Sequence, residues 1–459
     1  MKLDYKKTFM IGLGFFGVSL VWTLYNSFVP VILEKFITSG TIIGLIMTLD
    51  NILAVTIQPI VGAVSDKTRT RIGRRMPYII FGAPLAAVFF FYIPLAQAFW
   101  LLIGTIVLMN IFMALWRSPV VALMPDIIPS VNRSKANGVI NFMGGAAALM
   151  VFFVGGMLYD INPKVPFVGV SVVMLLAVIL LFLTIKEPKE IPHEEAEDIS
   201  MTLVKTSVIA IVVGLAAYFA LNTTGLFAGT FEKIFESAYQ GYVMIGLLVF
   251  ALIVFITLLR WVERSSILIF LAIFFWFFGY NGVETFFTLY GVNELGLTAG
   301  RAAFMLGIFS LAFIIFAIPS GYIATKVGRK RTIIAGLIGL MVLMGSMAFI
   351  QSIPIIIGIM LLGGVSWACI NINSIPMIWD ITTEEMLGTY TGLYYFFSML
   401  AQTVSPPIIG VFKDITGKYQ TMFLVVPVFF LMALICMLFV KKGEAKEVTT
   451  ADMLEQMEV

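Results

Sequence analysis

Stretches of about twenty consecutive apolar residues recur along the whole chain, and no other feature restricts the possible folds as strongly. A helix of ~20 apolar residues is long enough to cross the ~30 Å hydrocarbon layer of a membrane. Within that layer every backbone N–H and C=O group must be bonded internally, which leaves only helices and closed barrels. The runs are apolar on every side, whereas barrel strands alternate polar and apolar residues. The sequence therefore predicts an all-α, polytopic membrane protein that has the lipid bilayer as a partner.

Composition supports a membrane protein and argues against several other classes. Of 459 residues, 60% are hydrophobic and 12% are charged, whereas a soluble domain has roughly 25% charged residues. The basic N-terminus resembles a signal peptide, but its apolar stretch is too long and no small-residue cleavage site follows. We therefore interpret it as a retained helix. Cys369 and Cys436 both lie in apolar runs and indicate no disulfide framework.

The sequence contains no nucleotide-binding loop, no metal-ligand cluster and no catalytic triad. We therefore expect a protein that is not an enzyme, uses no cofactor or metal, and does not bind nucleic acid.

Polar breaks between the apolar runs predict fourteen helices. They lie near residues 8–33, 41–64, 77–97, 99–125, 135–158, 166–186, 203–223, 240–260, 266–291, 300–322, 331–350, 354–378, 387–411 and 419–441.

The distribution of lysine and arginine predicts which way these helices point. If the N-terminus is cytoplasmic, 22 basic residues fall in inner segments, 6 fall in outer segments and Arg117 lies within the membrane. Such a cytoplasmic excess is typical of membrane proteins. We expect a multi-pass protein of the cell membrane, plasma or inner, with both termini in the cytoplasm.

Two loops carry a similar charged pattern. "GAVSDKTRTRIGRRMP" (62–77) follows the second predicted helix, and "GYIATKVGRKR" (321–331) follows a later one. Identities also recur at one offset of 254 residues, pairing Asp126, Gly138, Gly156 and Asp160 with Asp380, Gly392, Gly410 and Asp414. Parallel repeats of this kind place a substrate site at their interface near the membrane midplane.

The repeats predict two six-helix bundles joined by additional segments. We expect an N-terminal bundle over 1–186, a cytoplasmic linker over 187–202 and an inserted transmembrane hairpin over 203–262. A C-terminal bundle over 263–442 and a cytoplasmic tail over 443–459 complete this division. The hairpin has no counterpart in either repeat.

Ionisable side chains inside apolar runs are the strongest candidates for function, because each costs at least ~2.5 kcal/mol near the centre of the bilayer. Asp50 lies well inside the second helix, and Glu284 shares a helical face with Tyr280 and Asn281. A buried carboxyl group is suited to carry a proton, and the alternative for both residues is a structural role.

Two charged residues on the fourth predicted helix are further candidates. Arg117 follows Asn110 by two turns, and its five N–H donors need a carboxylate or a polyol inside a membrane. Asp126 ends the same helix near the 62–77 loop, where it can pair with the arginines as a closed-state latch or as a permanent staple.

Aromatic and amide side chains in the apolar helices complete the candidate substrate site. Such groups suit a sugar, which stacks on rings and hydrogen-bonds through its hydroxyls, although amides also link helices structurally. The candidates are Trp22, Tyr25, Asn26, Asn110, Arg117, Asn137, Asn141, Tyr280, Asn281, Asn371, Asn373 and Gln402.

Two six-helix halves with Gly-x-x-x-Asp and Gly-Arg-Arg after the second helix resemble the major facilitator superfamily. The strings "QPIVGAVSDKTRTRIGRRMPY", "RSPVVALMPD" and "RSKANG" further resemble the proton-coupled sucrose-transporter group within the glycoside–pentoside–hexuronide cation symporters. The resemblance covers nearly the whole chain except residues 200–262. Sodium-coupled relatives carry acids where this chain has Ala54 and Gln58, so the resemblance favours protons, carried by Asp50 and Glu284.

The same resemblance implies a gate on the cytoplasmic side. Asp66 would face the helix that starts near Leu387, Arg74 and Arg75 would pair with Asp126, and Thr325 replaces the acid in the second half. The implied gate motif comprises Gly62, Asp66, Gly73, Arg74, Arg75, Asp126, Gly321, Gly328, Arg329 and Asp380.

We therefore expect a monomeric transporter that imports a small molecule, a disaccharide or glucoside, together with a proton by alternating access. A drug–proton antiporter of the same superfamily is the main alternative, although the fifth helix lacks the proline of the Gly-Pro-rich motif found in such proteins. A peptide transporter and a receptor without transport activity are further alternatives.

Overall fold

The computed structural model describes residues 4–128, 130–187, 264–382 and 387–440, and the regular elements in these ranges are helices. The first half contains α1 Tyr5–Glu34, α2 Gly40–Met47, α3 Leu49–Lys67, α4 Met76–Tyr92, α5 Phe99–Ile127, α6 Ser130–Met150, α7 Gly156–Ile161 and α8 Lys164–Thr184. The second half contains α9 Arg264–Asn293, α10 Ala299–Val327, α11 Arg329–Ser346, α12 Ile353–Asp380, α13 Leu387–Thr416 and α14 Met422–Phe439.

These helices confirm the all-α membrane fold. Ten helical stretches in the described residues are long and apolar enough to cross a membrane. Outside the 203–262 region, each predicted span corresponds to one helix or to one interrupted helix. The predicted hairpin, the linker beyond Glu187 and the C-terminal tail lie outside the described residues, so those predictions and the exact count of fourteen helices remain untested.

Two predicted helices are interrupted. The second predicted span divides at Thr48 into α2 and α3, because the Thr48 hydroxyl donates to the Leu45 carbonyl oxygen at 2.8 Å and Asn51 N–H donates to the Thr48 carbonyl oxygen at 3.1 Å. These bonds tighten one turn just before Asp50. The fifth span contains a π-helical turn over Val151–Gly155 between α6 and α7, a local irregularity that often lies near functional sites.

Small and branched side chains pack the helices of the first half together. Ile57 and Val61 of α3 form a buried cluster with Ala114 of α5. Outward-facing apolar side chains remain exposed, and both Phe142 and Leu183 have 68% of their surface accessible. Large exposed apolar surfaces need a partner, and for helices of this length that partner is the hydrocarbon of a bilayer.

The chain divides into two compact units. Unit 1 comprises Met1–Gly246, Glu284–Gly307 and Pro406–Tyr419, and unit 2 comprises Leu247–Val283, Ile308–Ser405 and Gln420–Val459. Unit 1 therefore includes short segments of the second half of the sequence together with the first half. The predicted bundle boundaries at 186 and 263 remain predictions.

Candidate functional site

The three ionisable side chains predicted from the apolar runs come together in unit 1. Asp50 projects from α3, Arg117 from α5 and Glu284 from α9. Asp50 interacts electrostatically with both Arg117 and Glu284, and each of the three side chains is partly buried. The Arg117 guanidinium beside the partly buried Asp50 carboxylate offsets part of the desolvation cost of that acid.

Aromatic and amide groups of α1 and α5 border this charged cluster. The Arg117 guanidinium carbon lies 5.8 Å from the centre of the Trp22 ring, and that ring meets Tyr25 edge to face at 5.6 Å. The Asn26 side chain lies beside the Glu284 carboxyl group, and the Asn110 amide lies beside the Tyr25 hydroxyl. Trp22, Tyr25 and Asn26 reach one site because residues three and four apart share a helix face.

Some polar atoms of this cluster make no hydrogen bond to any of the described residues. Trp22 Nε1 and Asp50 Oδ1 are both buried, and neither makes a hydrogen bond there. Buried polar atoms are normally paired with protein or ordered water. A donor and an acceptor remain available to a small polar ligand, and the Trp22 ring offers it a flat apolar surface.

The remaining candidate residues of α9, α12 and α13 belong to unit 2. Tyr280 stacks on Trp367 with ring centres 4.4 Å apart and planes within 8°. The Asn281 amide donates to the Phe277 carbonyl oxygen at 2.7 Å. Asn371 and Gln402 are partly buried.

Other predicted amides make structural contacts. The Asn373 amide donates to the Cys369 carbonyl oxygen at 2.9 Å and to the Ser320 hydroxyl at 3.3 Å. In unit 1, Asn137 and Asn141 are both exposed, and Asn141 Nδ2 donates to Asn137 Oδ1 at 3.0 Å. Substrate binding by these residues remains a prediction.

The 62–77 loop is held by two arginines that share one acid. Arg74 Nη2 donates to Asp126 Oδ1 at 2.6 Å, and Arg75 Nε donates to Asp126 Oδ2 at 3.0 Å. Arg75 also bonds to Asp66, to the Ser65 hydroxyl and to the carbonyl oxygen of Gly62. The arginine–Asp126 pairing expected from the sequence is therefore present, while the expected contact of Asp66 with the helix near Leu387 remains a prediction.

Glu187 is a member of this loop network that the sequence did not reveal. Its carboxylate accepts the backbone N–H groups of Arg74, Arg75 and Met76 at 2.8, 3.0 and 2.7 Å. The first N–H groups of a helix have no partner within the helix, and Glu187 supplies one at the start of α4. Glu187, the first residue of the predicted linker, is therefore hydrogen-bonded to the start of α4 in the first half of the sequence.

Unit 2 contains the counterpart of the arginine–acid pair. Arg329 Nη1 donates to Asp380 and to the Pro376 carbonyl oxygen. Arg75 and Arg329 are 254 residues apart (329 − 75), as are Asp126 and Asp380 (380 − 126). Gly73 and Gly328 near these arginines have φ angles of +116° and +100°, a conformation that glycine adopts readily. Thr325 bonds only within its own helix turn among the contacts described, to the Tyr322 carbonyl oxygen at 2.7 Å.

Two residues that contact the candidate site residues, Trp367 and Glu187, could not be predicted, because nothing in the sequence distinguishes them from their neighbours. Trp367 is one of several aromatic residues in apolar helices, and Glu187 is one of several acids in a charged linker. The repeat at 254 residues did mark Asp160 and Asp414, but it indicated no role for them. Among the described residues, no group of three His, Cys, Asp or Glu side chains could hold a metal ion.

The model of the Major Facilitator Superfamily matches residues 11–275 and 269–455. The chain therefore belongs to the major facilitator superfamily.

Curated relatives match the chain only in part. The chain is 27% identical to Multidrug resistance protein 1 of Bacillus subtilis over 183 residues, which are 40% of this chain and 45% of the relative. It is 24% identical to the class H tetracycline resistance protein of Pasteurella multocida over 228 residues, 48% of this chain and 54% of the relative. It is 29% identical to the cis,cis-muconate transport protein of Acinetobacter baylyi over 170 residues, 36% of this chain and 40% of the relative. The chain thus spans about half or less of the length of these relatives.

Solved structures share the fold over nearly the whole chain. A crystal structure of the nucleoside transporter NupG aligns with a TM-score of 0.66 and 11% identity, covering 95% of this chain and 100% of that chain. A peptide transporter POT in complex with sulfate aligns with a TM-score of 0.69 and 14% identity, covering 95% of each chain. At these identities the likeness concerns the fold alone.

Proposed function

We propose that the protein is a proton-coupled symporter that imports a neutral, hydroxyl-rich small molecule, a disaccharide or glucoside, by alternating access. The observation that carries the proposal is the cluster of Asp50, Arg117 and Glu284 beside the Trp22 ring. It combines groups that can exchange a proton with groups that can bind a sugar through stacking and hydrogen bonds.

The charges of the cluster favour a neutral substrate. Two carboxyl groups and one guanidinium carry a formal sum of −1 when both acids are ionised, and a sum of zero when one acid holds a proton. A neutral sugar needs no further charge compensation in the protonated site. A dianion such as the one named for the muconate transport relative would meet two carboxyl groups and only one cation.

A proton that enters with the substrate can drive accumulation. A membrane potential of 100 mV supplies ~2.3 kcal/mol per inward charge. Because ~1.4 kcal/mol corresponds to a tenfold ratio, the potential alone supports a concentration ratio of roughly 50.

Drug–proton exchange is the second candidate, because the matched relatives include two named for drug resistance. A cationic drug would be bound by the ionised acids and would exchange with protons. Symport and antiport therefore move protons in opposite directions when substrate is added outside.

The sign of that proton movement tests the proposal. Purified protein in liposomes, without a preset gradient, would receive a panel of disaccharides, glucosides and cationic drugs while the external pH is recorded. We expect alkalinisation on addition of a sugar or glucoside, and none in protein-free liposomes. Acidification on addition of a cationic drug, with no response to any sugar, would contradict the proposal and favour the antiporter.

The arrangement in the membrane is part of the same proposal. We propose that both termini and the 62–77 loop are cytoplasmic, because 22 basic residues then lie inside and 6 outside. The Arg74–Arg75–Asp126 network would belong to the inner gate, and the protein would function as a monomer in the cell membrane.

A further inference from the structure

Two acids 254 residues apart each hold the start of a helix at the same end of unit 1. Asp414, in the last turn of α13, accepts hydrogen bonds from the Gly40 and Thr41 N–H groups at 2.7 and 2.9 Å. It also accepts the hydroxyls of Ser39 and Thr41, each at 2.6 Å. We name this set of contacts the first end joint.

Asp160, in the last turn of α7, makes the second end joint with the start of α10. Its carboxylate accepts the Thr298 hydroxyl at 2.6 Å and the Gly300 N–H at 2.8 Å. Ser39 and Thr298 are also matched, since each cap residue in turn accepts an N–H from its own helix, from Ile42 and Arg301 respectively.

The two joints repeat in sequence as well as in contacts. Asp160 and Asp414 are separated by 254 residues (414 − 160), and Ser39 and Thr298 by 259 (298 − 39). The second separation equals that between Gly62 and Gly321 (321 − 62) in the repeated loops. In each joint the acid comes from one half of the sequence and the helix start from the other half.

Glycines allow the backbones to meet at both joints. A Cβ atom on Gly410 would lie 2.2 Å from the Gly40 carbonyl oxygen, and one on Gly300 would lie 2.1 Å from the Gly156 carbonyl oxygen. Only a residue without a side chain permits this approach. The close approach brings each carboxylate within hydrogen-bonding distance of the N–H groups of the opposing helix.

A charged cap is suited to a contact that must break and re-form. The carboxylate meets N–H groups that carry the positive end of the helix dipole, and bonds to a charged group contribute more than bonds between neutral groups. Asp160 is exposed and Asp414 partly buried. Water can therefore replace the lost partners when the joint opens, which keeps the opening reversible.

We infer that Asp160 and Asp414 are paired positioning residues that hold this end of the transporter closed and set how often the Asp50 site opens toward it. Because α2, Thr48 and α3 run without a gap from residue 40 to residue 67, a length of roughly 40 Å, this end lies opposite the 62–77 loop. The inference depends on the alternating access proposed above but not on the identity of the substrate or the ion.

Thr48 provides a reporter for opening. Gly40 faces Gly410 and Gly44 faces Pro406, and residues four apart share a helix face. Thr48 is therefore next along the covered face, two residues before Asp50, and it is 1% exposed. A cysteine at this position should react with a membrane-impermeant maleimide only when the end opens.

The experiment measures this reaction in the full chain with Cys369→Ala, Cys436→Ala and Thr48→Cys. Asp414→Asn should raise the labelling rate about tenfold, equivalent to ~1.4 kcal/mol, because an amide cannot accept bonds at both of its positions. Asp160→Asn should raise it less, since Asp160 accepts two bonds rather than four. The double variant should exceed either single variant.

The matched control is Thr416→Val. Thr416 lies two residues after Asp414. Its hydroxyl donates to the Phe412 carbonyl oxygen of its own helix at 2.8 Å and accepts the Lys418 N–H just beyond the helix at 3.4 Å. Its removal should leave the labelling rate unchanged. If an aspartate variant fails to fold, Ser39→Ala and Thr298→Val remove only the hydroxyl contacts and should each raise the rate.

Unchanged labelling in the aspartate variants, or in both hydroxyl variants where the aspartate variants do not fold, would overturn the inference. An increase with Thr416→Val equal to that with Asp414→Asn would overturn it too. Labelling needs neither substrate nor a proton gradient. If the protein proves not to be a sugar–proton symporter, the labelling rates would still test whether Asp160 and Asp414 hold this end closed.

Discussion

Arg117 interacts with the Asp50 carboxyl group and with the Trp22 ring, and both interactions require its guanidinium group. It is the counter-charge of Asp50, and its guanidinium lies 5.8 Å from the centre of the Trp22 ring. A guanidinium is flat and can stack on a ring while donating hydrogen bonds in its plane. Lysine would keep the charge but would lose the stacking surface and the fixed geometry of the donors.

Arg117→Lys should therefore weaken substrate binding while the proton remains coupled. We expect the KM for the transported sugar to rise about tenfold, ~1.4 kcal/mol, with the number of protons moved per sugar unchanged. Uptake kinetics and the external pH record measure the two quantities. Arg71→Lys, the same change at an exposed loop residue, is the control. An unchanged KM in Arg117→Lys would contradict a direct role for the guanidinium in binding.

The three charged residues of the cluster are visible in the sequence, whereas Glu187 is not. Asp50, Arg117 and Glu284 could be singled out because a charge in an apolar run is costly, and a costly group needs a partner. Glu187 could not be found in this way. It lies in a charged linker where an acid costs nothing, and its role depends on backbone N–H groups that are distant in sequence.

At the scale of elements, the turn between α3 and α4 depends on one glycine. Gly73 has a φ of +116°, and a Cβ atom there would lie 2.5 Å from the Glu187 carboxyl carbon. A side chain is disfavoured by this backbone conformation and would also displace the acid that caps α4. Gly138 is a contrasting case, because it lies inside α6 with open space around its Cα.

Gly73→Ala and Gly138→Ala should thus shift stability in opposite directions. We expect Gly73→Ala to lower the free energy of unfolding by at least ~1 kcal/mol. Gly138→Ala should leave it unchanged or raise it by up to ~1 kcal/mol, because alanine favours a helix interior. Thermal unfolding of the purified protein in detergent compares them. Equal destabilisation by both changes would show that the conformation of Gly73 has no special importance.

The sequence predicted where the helices begin and end, but it did not predict where two of them are interrupted. The apolar runs predicted where each described span begins and ends to within a few residues. They did not predict the break at Thr48 or the π-helical turn over Val151–Gly155. Both irregularities depend on local hydrogen bonds within runs that remain apolar, so the hydrophobic pattern carries no sign of them.

Across the whole molecule, the repeat of about 254 residues recurs in two kinds of contact, the arginine–aspartate pairs and the end joints. The pairs Arg75–Asp126 and Arg329–Asp380 occur near the repeated loops. The two end joints formed by Asp160 and Asp414 occur at the end of unit 1 that lies away from its own 62–77 loop. The sequence predicted the repeat from matching identities, but the partners of Asp160 and Asp414 are distant in sequence and became visible only in three dimensions.

Proton coupling requires the Asp50, Arg117 and Glu284 cluster to act together with the helices that move during transport. Removing the charge of Asp50 or Glu284 should leave a site that still binds and exchanges sugar but no longer needs a proton. Exchange does not require net proton movement, whereas accumulation against a gradient does. The two modes of transport therefore separate coupling from binding.

The most direct test is sugar accumulation in liposomes with an imposed inward proton gradient, measured beside sugar exchange in the same preparations. The unaltered protein should accumulate sugar, whereas Asp50→Asn and Glu284→Gln should each lose accumulation and should still exchange sugar. Glu294→Gln, which changes an acid just beyond α9, is the control and should accumulate normally. Undiminished accumulation in both Asp50→Asn and Glu284→Gln would contradict the proposed coupling.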